Sequence, residues 1–442
     1  MKKLFIVVFL VICICTAILY IKFGNTLRNQ NDVTTEVSDN VEEDIVEETV
    51  GEVVDAEVVD VADNEVGEEV KIMGKLDTST NADKAAYFID KLYDGEHNVC
   101  FSPLSLDMAI ALVNEGADGM TNDVLTDFLN KEDYATFAKE YIGYMNHEYR
   151  DEDKTSVLQI CNSLWGAQDT VFREEYIQDL KENFDADVFT VDFKNALTPG
   201  QMNNWISNKT GGNLKNVIAN LEPNMRTMLI NAVYLEESWI KVWRPFTGTF
   251  TRFDGASNDF CDMLVDDSLY DYYENDNAIA FGKDYTGGLK FIGVLPKKSG
   301  DFSLERLDLA SLLESHTTDY EVHAIMPKLD FTSNARLTSL LQNSGLAVMF
   351  GLDCDLSRMS EEPLRVSDVV QACMFQLDEN GTKAAAVTVV SVMRNSAFQP
   401  EMKEVKEVIC DRPFAFLIYD ETSGEILFAG KVVTVLSDYN FQ

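Results

Sequence analysis

Apolar residues recur at helical spacing early in the chain and gather into short runs later. Ala82–Tyr93 and Leu104–Asn114 repeat apolar positions every three or four residues, which predicts two helices. Ile230–Leu235 and Lys290–Leu295 are short, mainly apolar runs that predict buried strands. Three more strand-like runs follow towards the C-terminus: Tyr320–Met326, Ala415–Tyr419 and Ile426–Val433. Helices that come mainly first and strands that come mainly later indicate an α+β domain with large sheets.

The N-terminus carries a long apolar run, Leu4–Ile21, which follows Lys2 and Lys3. Its eighteen residues can cross a hydrocarbon core as a helix, whereas a cleavable signal peptide usually has a shorter apolar region. We expect residues 1–22 to be a retained membrane anchor, with the basic end in the cytoplasm and the rest of the chain outside, at the cell surface. The alternative is a cleaved signal that releases the protein to the exterior.

An acidic stretch separates this run from the remainder of the chain. Residues 32–70 contain sixteen Asp and Glu side chains and no Lys, Arg, Phe, Tyr or Trp. These like charges repel one another, and no aromatic side chain is present to nucleate a core. We expect residues 23–78 to form an extended, solvated tether and residues 79–442 to form the folded domain.

The composition excludes several classes of partner. The chain has 36 Lys and Arg against 75 Asp and Glu, and the resulting charge of −39 repels nucleic acid, so no nucleic-acid partner is expected. The six cysteines after the tether have no CxxC or other metal-ligand spacing, so we expect buried free thiols, no metal and no cofactor. A bridge between a distant pair stays open in an exported protein. We expect a monomer.

The sequence lacks the familiar catalytic motifs that would predict an enzyme. The four histidines form no HExxH, and neither a GxSxG nor a glycine-rich phosphate loop occurs. Lys209–Gly211 is a KTG and Ser238–Lys241 is an SxxK, as in penicillin-binding proteins. In those enzymes the SxxK precedes the KTG, and here the order is reversed, so we interpret both as chance.

The segment Asp378–Ser396 contrasts with its surroundings. It follows a strand-like stretch that ends at Leu377, and it is rich first in small residues and then in Val and Thr. Such residues favour a pleated, half-buried strand, so an ordinary core strand is the simplest interpretation of the segment by itself.

This segment resembles the hinge and reactive-centre loop of the serpins, and the resemblance extends from about residue 80 to 435. The supporting strings, in order, are Asn98, Phe101–Ser105 (FSPLS), Gly116–Thr121 (GADGMT), Asn162–Trp165 (NSLW), Met202–Leu214 (MNNWISNKTGGNL), Leu229–Trp239 (LINAVYLEESW), Met326–Phe331 (MPKLDF), Pro363–Gln371 (PLRVSDVVQ), Glu379–Thr388 (ENGTKAAAVT), Arg412–Asp420 (RPFAFLIYD) and Gly424–Val433 (GEILFAGKVV). The resemblance implies a serpin fold, α+β, with three β-sheets, about nine helices and an exposed reactive-centre loop.

The resemblance also implies a function that needs no catalytic residue in this chain. A target protease of the serine class, with the cysteine class as an alternative, attacks the loop and forms an ester through its own nucleophile. The cleaved loop then inserts as an extra strand into the main sheet and traps the protease as a covalent acyl-enzyme. The alternative is a non-inhibitory serpin that acts as a binding or structural module.

The hinge composition favours the inhibitor. Residues two apart share one face of an inserted strand, so alternate side chains must be small or apolar enough to become buried. The positions on that face carry no charge: Thr382, Ala384, Ala386, Thr388, Val390 and Val392. Lys383 would project to solvent. The predicted hinge consists of Glu379, Gly381, Thr382, Ala384, Ala385, Ala386 and Thr388.

Further site residues follow from the resemblance one by one. Ser102, Ser105 and Asn231 match polar positions beneath the sheet where it opens, and Gln371 stands where the family usually has His. Glutamine cannot change charge near neutral pH, so the energetics of opening should differ from those of the family. Lys328 and Glu379 match an ion pair at the top of the sheet.

The family's usual spacing from Gly381 places the scissile bond between Asn395 and Ser396. The segment from Ser396 to Pro413 is longer than in most members, so the bond after Arg394 is an alternative register. Asn395 is preferred on spacing, whereas Arg394 would suit a trypsin-like or Arg-specific cysteine protease. Met393 would suit elastase-like or chymotrypsin-like pockets.

Overall fold

The computed structural model describes residues 80–150, 154–252, 258–382 and 403–435. Eight α-helices lie in these ranges: α1 (Asn81–Leu92), α2 (Pro103–Gly116), α3 (Gly119–Leu129), α4 (Tyr134–Met145), α5 (Glu174–Phe184), α6 (Thr198–Lys209), α7 (Leu309–Glu314) and α8 (Thr338–Leu341). The predicted helices Ala82–Tyr93 and Leu104–Asn114 are therefore confirmed as α1 and α2, with small shifts at their ends.

The same ranges contain seventeen strands. They are β1 (Val99–Phe101), β2 (His147–Arg150), β3 (Thr155–Ala167), β4 (Asp187–Val191), β5 (Thr227–Ser238), β6 (Arg244–Thr251), β7 (Asn258–Leu269), β8 (Tyr272–Glu274), β9 (Ala278–Asp284), β10 (Lys290–Pro296), β11 (Glu321–Pro327), β12 (Leu329–Arg336), β13 (Asp368–Leu377), β14 (Gly381–Thr382), β15 (Val405–Ile409), β16 (Phe414–Asp420) and β17 (Glu425–Val432). All five predicted strands are present, as β5, β10, β11, β16 and β17.

The strands form three sheets, as the resemblance implied. The main sheet has the order β12-β13-β14-β5-β3-β2, with β4 paired to the other end of β3. A six-stranded sheet has the order β1-β17-β16-β10-β9-β8, and a four-stranded sheet has the order β15-β11-β7-β6. The fold is therefore α+β, with β5 and β13 as the central long strands of the main sheet.

Both faces of the main sheet are covered. On one face, β5 contributes Leu229 and Val233 to the large core that is shared with α2 and the six-stranded sheet. On the other face, Met228 and Ile230 join a second core under α6, around Trp205. A strand that is buried on two faces needs apolar residues at successive positions, which explains why β5 is a continuous apolar run in the sequence.

Helix α2 lies directly beneath the main sheet and is buried along nearly all of its length. It begins at the FSPLS string, where Ser102 is the N-cap and its hydroxyl accepts a hydrogen bond from Ser105 N at 3.2 Å. Pro103 occupies the first turn, where the absent N–H costs no helical hydrogen bond. This local sequence fixes the start of α2 under the strands that form the candidate site.

Candidate functional site

The two central strands of the main sheet separate towards one end. Parallel pairing joins Asp368–Ala372 of β13 to Met228–Ala232 of β5. Beyond this stretch, residues 373–376 and 233–236 face each other, and no pairing joins their facing edges among the described residues. On their other sides, the same residues are paired to β12 and β3. Within the described part of the chain, the sheet therefore has a gap between β5 and β13, where the facing backbone groups have no strand partner.

The hinge enters this gap from its open end. Gly381 pairs with Ser238 of β5, and Thr382 pairs with Glu237 on one side and with Leu377 of β13 on the other. A Cβ at residue 381 would collide with the carbonyl oxygen of Glu237, so the close approach of the two strands requires glycine. The two residues of β14 are thus already inserted as a short strand between β5 and β13.

Thr382 is already buried, with 2% of its surface exposed. Its hydroxyl is hydrogen-bonded to the phenol of Tyr285, and the Tyr285 ring stacks on Trp239 with centroids 4.1 Å apart. Burial raises the pKa of Tyr285 well above its ordinary value, so the phenol stays neutral beside the hinge. Thr382 thus lies inward, between β5 and β13.

Short backbone contacts hold the turn before the hinge. Trp239 N donates to the carbonyl oxygen of Asn380 at 2.9 Å, and Trp243 N donates to that of Glu379 at 2.9 Å. The indole of Trp239 donates to Asp378 O at 3.0 Å. These bonds anchor the hinge to the end of β5 through main-chain atoms, which a sequence pattern does not specify.

The predicted ion pair at the top of the sheet is formed. Lys328 Nζ lies 2.6 Å from Glu379 Oε2, and both side chains are 30% exposed. Burial opposes the charge on each group, but the hydrogen bond and the attraction between them lower the pKa of Glu379 and raise the pKa of Lys328. An ion pair this exposed contributes only about 0–1 kcal/mol, so it adds little to the stability of the fold.

The predicted sheet-opening residues meet beneath the paired stretch of β5 and β13, next to the point where the gap begins. Ser105 donates its hydroxyl hydrogen to Asn231 Oδ1, and Asn231 Nδ2 donates to Asn162 Oδ1 at 2.5 Å. Asn162 of β3 in turn donates to Phe184 O at 3.2 Å. All of these side chains except that of Phe184 are polar and buried, so each hydrogen bond prevents an unsatisfied buried group. The chain of bonds ties α2 to β5 and β3.

Gln371 ties the same helix to the other central strand. Its Oε1 accepts from Ser102 N at 2.9 Å, and its Nε2 donates to Ser102 O at 2.8 Å. A side-chain amide can satisfy one backbone N–H and one C=O together, whereas an imidazole carries its donor and acceptor on opposite edges of the ring. Glutamine at this position therefore forms a two-bond clamp between β13 and the N-cap of α2.

The rest of the predicted loop lies outside the described residues. This applies to Ala384, Ala385, Ala386 and Thr388 of the hinge and to the predicted scissile bond at Asn395–Ser396, with Arg394 as its alternative. The predicted anchor, residues 1–22, and the predicted tether, residues 23–78, also lie outside them.

Three contributors to the site are not predicted by the sequence motifs. Asn162 lies in the NSLW string, but its contact with Asn231 depends on the register between β3 and β5. Tyr285 and Gly287 come from the turn between β9 and β10, far from the hinge in sequence. Cross-strand register decides these contacts, and single-sequence patterns do not contain it.

The described residues have three further general features. Among them, no group of three or more His, Cys, Asp or Glu side chains could hold a metal ion. In the same ranges, every helix is too short or too polar to cross a membrane. The six described cysteines are free thiols, and four of them are buried.

Comparison with known proteins gives one consistent result. The family model "Serpin (serine protease inhibitor)" matches residues 79–435. An uncharacterized serpin-like protein of Thermococcus kodakarensis is 30% identical over 352 residues, which cover 78% of this chain and 82% of the relative. Human neuroserpin is 27% identical over 368 residues, which cover 76% of this chain and 86% of that protein.

A solved structure is also similar. The thermophilic serpin tengpin in the native state superimposes with a TM-score of 0.70 and 26% identity. The match covers 85% of this chain and 96% of tengpin. The similarity therefore extends over nearly the whole of that protein.

Proposed function

The chain belongs to the serpin family, and from this premise we propose that it is a suicide-substrate inhibitor of proteases. In the proposed mechanism, the target's nucleophile attacks the scissile carbonyl, the peptide amine leaves, and an ester joins protease and inhibitor. The cleaved loop then continues the insertion that β14 begins, and the protease is carried along before water can hydrolyse the ester. The chain itself supplies no catalytic group in this proposal.

The observation that carries the proposal is the gap between β5 and β13 with the hinge already at its mouth. The facing edges at 373–376 and 233–236 offer N–H and C=O groups that an inserted strand would pair. The sequence after Thr382 continues with uncharged residues at every second position: Ala384, Ala386, Thr388, Val390 and Val392. Backbone pairing and burial of this face would both favour insertion after cleavage.

Two further parts of the proposal concern the target and the location. We infer cleavage at Asn395–Ser396, with the bond after Arg394 as the alternative, by a serine protease or, for Arg394, a cysteine protease. We further propose that residues 1–22 hold the inhibitor at the cell surface, with release after signal cleavage as the alternative. Human neuroserpin and horse alpha-1-antiproteinase 2, which is named as an antiproteinase, are related over most of their length.

Incubation with a panel of proteases tests the proposed inhibitory function. The full chain is incubated with trypsin-like, elastase-like and chymotrypsin-like proteases and with an Arg-specific cysteine protease, and the products are separated in SDS. We expect a covalent complex with at least one of them, and mass spectrometry of the released peptide then identifies the scissile bond. A protease whose nucleophile is replaced by Ala serves as control, because it cannot form the ester. Cleavage by the whole panel with no complex would instead support a non-inhibitory binding or structural module.

A further inference from the structure

A buried acid lies beside the hinge on β5. Glu237 has no exposed side-chain surface, and its carboxylate accepts hydrogen bonds from Ser156 Oγ at 2.7 Å and from Gly287 N at 3.1 Å. His147, at the start of β2, lies at the edge of this site with Nε2 3.2 Å from Glu237 Oε1. The same Nε2 is 2.6 Å from Ser156 Oγ, and Nδ1 is 2.6 Å from Met145 O.

This cluster has the residue types of a hydrolytic triad without its geometry. In a triad, the acid holds one ring nitrogen of the histidine while the serine faces the other. Here Ser156 and Glu237 both face Nε2, and the carbonyl of Met145 occupies Nδ1. Ser156 is also buried, with 5% of its surface exposed. The cluster therefore lacks the relay that would activate a serine nucleophile.

The hydrogen bonds instead require a proton shared by His147 and Glu237. A carbonyl oxygen only accepts, so Nδ1 of His147 must carry a hydrogen. The single hydroxyl hydrogen of Ser156 can go to Glu237 or to Nε2, but not to both. When His147 and Glu237 together hold one further proton, each contact among Nε2, Ser156 Oγ and Glu237 has one donor and one acceptor. When that proton is lost, Ser156 can donate to Nε2 and leave Glu237 without its hydroxyl donor. If Ser156 instead donates to Glu237, the lone pairs of Ser156 Oγ and Nε2 face each other at 2.6 Å.

The register connects this proton to the hinge. Thr382 pairs with Glu237, and Glu237 pairs with Ser156, so their side chains lie in one row on the same face of β14, β5 and β3. On β2, His147 pairs with Leu158, two residues along β3 on the same face as Ser156, and its ring reaches the row diagonally through the contact with Ser156 Oγ. The turn that donates Gly287 N to Glu237 also carries Tyr285, which holds the hydroxyl of Thr382. Any displacement of Glu237 therefore disturbs both partners of the inserted hinge residue.

Other ionisable groups lie at this corner. Tyr285 remains neutral because burial raises its pKa well above the ordinary value. Arg150 pairs with Glu236 at 2.8 Å and with Glu148 at 3.1 Å, and these residues alternate with His147 and Glu237 onto the opposite face. Burial raises the pKa of Glu237, against the lowering by Ser156, His147 and Gly287. A buried carboxyl with a raised pKa stabilises the fold less as pH rises, which is the same direction as loss of the shared proton.

We propose that His147 is a positioning residue for loop insertion: with its proton shared with Glu237, it holds the end of β5 in the place that receives the hinge. The proposal rests on the inhibitory function proposed above. These hydrogen bonds need the shared proton, so trapping should be most efficient at low pH and should weaken as rising pH removes the proton. Once the proton is lost, Glu237 turns away from the row, the hinge docks less firmly, and the ester is hydrolysed before insertion.

The test is a pH profile of the full chain against a protease that it traps. We expect the ratio of cleaved to trapped inhibitor to rise about tenfold between about pH 6 and pH 8.5, and His147→Gln to have a flat profile. Glu237→Gln should flatten the profile as well. His97→Gln is a matched control, because His97 is 32% exposed against 31% for His147 and also bonds an acid, Asp94 at 2.6 Å, away from the hinge. Measuring the protease's own activity at each pH removes its contribution.

A flat wild-type profile, or a His147→Gln profile that matches the wild type, would overturn the proposal. Thermal unfolding separates this result from failure of the proposed function. If no protease is trapped at any pH, the inhibitory function fails, and melting of the uncleaved chain then decides the proton pair. A difference in Tm between wild type and His147→Gln that shrinks as pH rises would support the shared proton, and a constant difference would refute it.

Discussion

Replacement of Thr382 by Glu should convert the protein from an inhibitor into a substrate. Thr382 is 2% exposed, lies between β5 and β13, and has the carboxylate-bearing Glu237 as its cross-strand neighbour. Glu is a sharper change than Arg, because an Arg at this position could pair with Glu237. The substituted carboxylate would be buried beside a second acid, in a place where the described contacts offer only the neutral phenol of Tyr285.

The magnitude follows from the burial. A charge left without an opposite partner inside a protein costs about 3–5 kcal/mol, unless the segment moves out to solvent. The hinge would therefore undock, and insertion would have to bury the charge in its first step. At about 1.4 kcal/mol per factor of ten, insertion should slow by roughly two to three orders of magnitude. Ester hydrolysis would then win, and the stoichiometry of inhibition should rise from near one to above about ten.

The assay is titration of a trapped protease, with complex and cleaved inhibitor quantified in SDS. Thr382→Ser keeps the hydroxyl that bonds Tyr285 and should inhibit like the wild type. Lys383→Glu adds negative charge one residue along, on the face that the sequence period assigns to solvent, and should also inhibit normally. Equal trapping by Thr382→Glu and Lys383→Glu would refute insertion as the working step.

Two further predictions follow. Cleavage of the chain between about Val392 and Phe398 should raise Tm by roughly 10 °C or more, because the inserted strand gains pairing and burial. Calorimetry before and after limited proteolysis measures this shift, and an unchanged transition would show that the loop is an ordinary one. Gln371→Leu should lower the free energy of unfolding by about 1–3 kcal/mol, since it leaves the buried N–H of Ser102 without its acceptor. Gln376→Leu removes an exposed hydrogen bond of the same strand and should change the free energy of unfolding little. Equal losses for the two variants in urea titrations would contradict the clamp.

Much of the architecture could be predicted from the sequence, because it depends on local patterns. The period of α1, the Ser-Pro start of α2 and the apolar runs of β5 and β10 each determine an element by themselves. The resemblance then supplied the arrangement of the sheets. It also selected Lys328 with Glu379 and the cluster of Ser102, Ser105, Asn231 and Gln371. The structure places Lys328 against Glu379, and within the cluster it bonds Gln371 to Ser102.

The remaining contacts depend on register and on turns between distant strands. His147 and Glu237 are 90 residues apart and meet only because β2 and β5 both pair with β3. Tyr285 reaches Thr382 across 97 residues from the turn after β9. A single sequence does not reveal such pairs, since sliding one strand by one residue would turn each of its side chains to the other face of the sheet.

The hydrogen bonds around α2 hold both central strands and oppose the opening of the sheet. Insertion must separate β13 from β5, so the five pairs between Asp368–Ala372 and Met228–Ala232 break in either case. Moving β13 away from α2 would also break both bonds of the Gln371 clamp to Ser102. Moving β5 together with β3 would keep the bond from Asn231 to Asn162, but it would break the link to Ser105 and pull Asn162 away from Phe184 O at the end of α5. Each movement therefore costs two of these hydrogen bonds to the helices, so the Gln371 clamp holds β13 about as firmly as the Asn231–Asn162 chain holds β5 and β3.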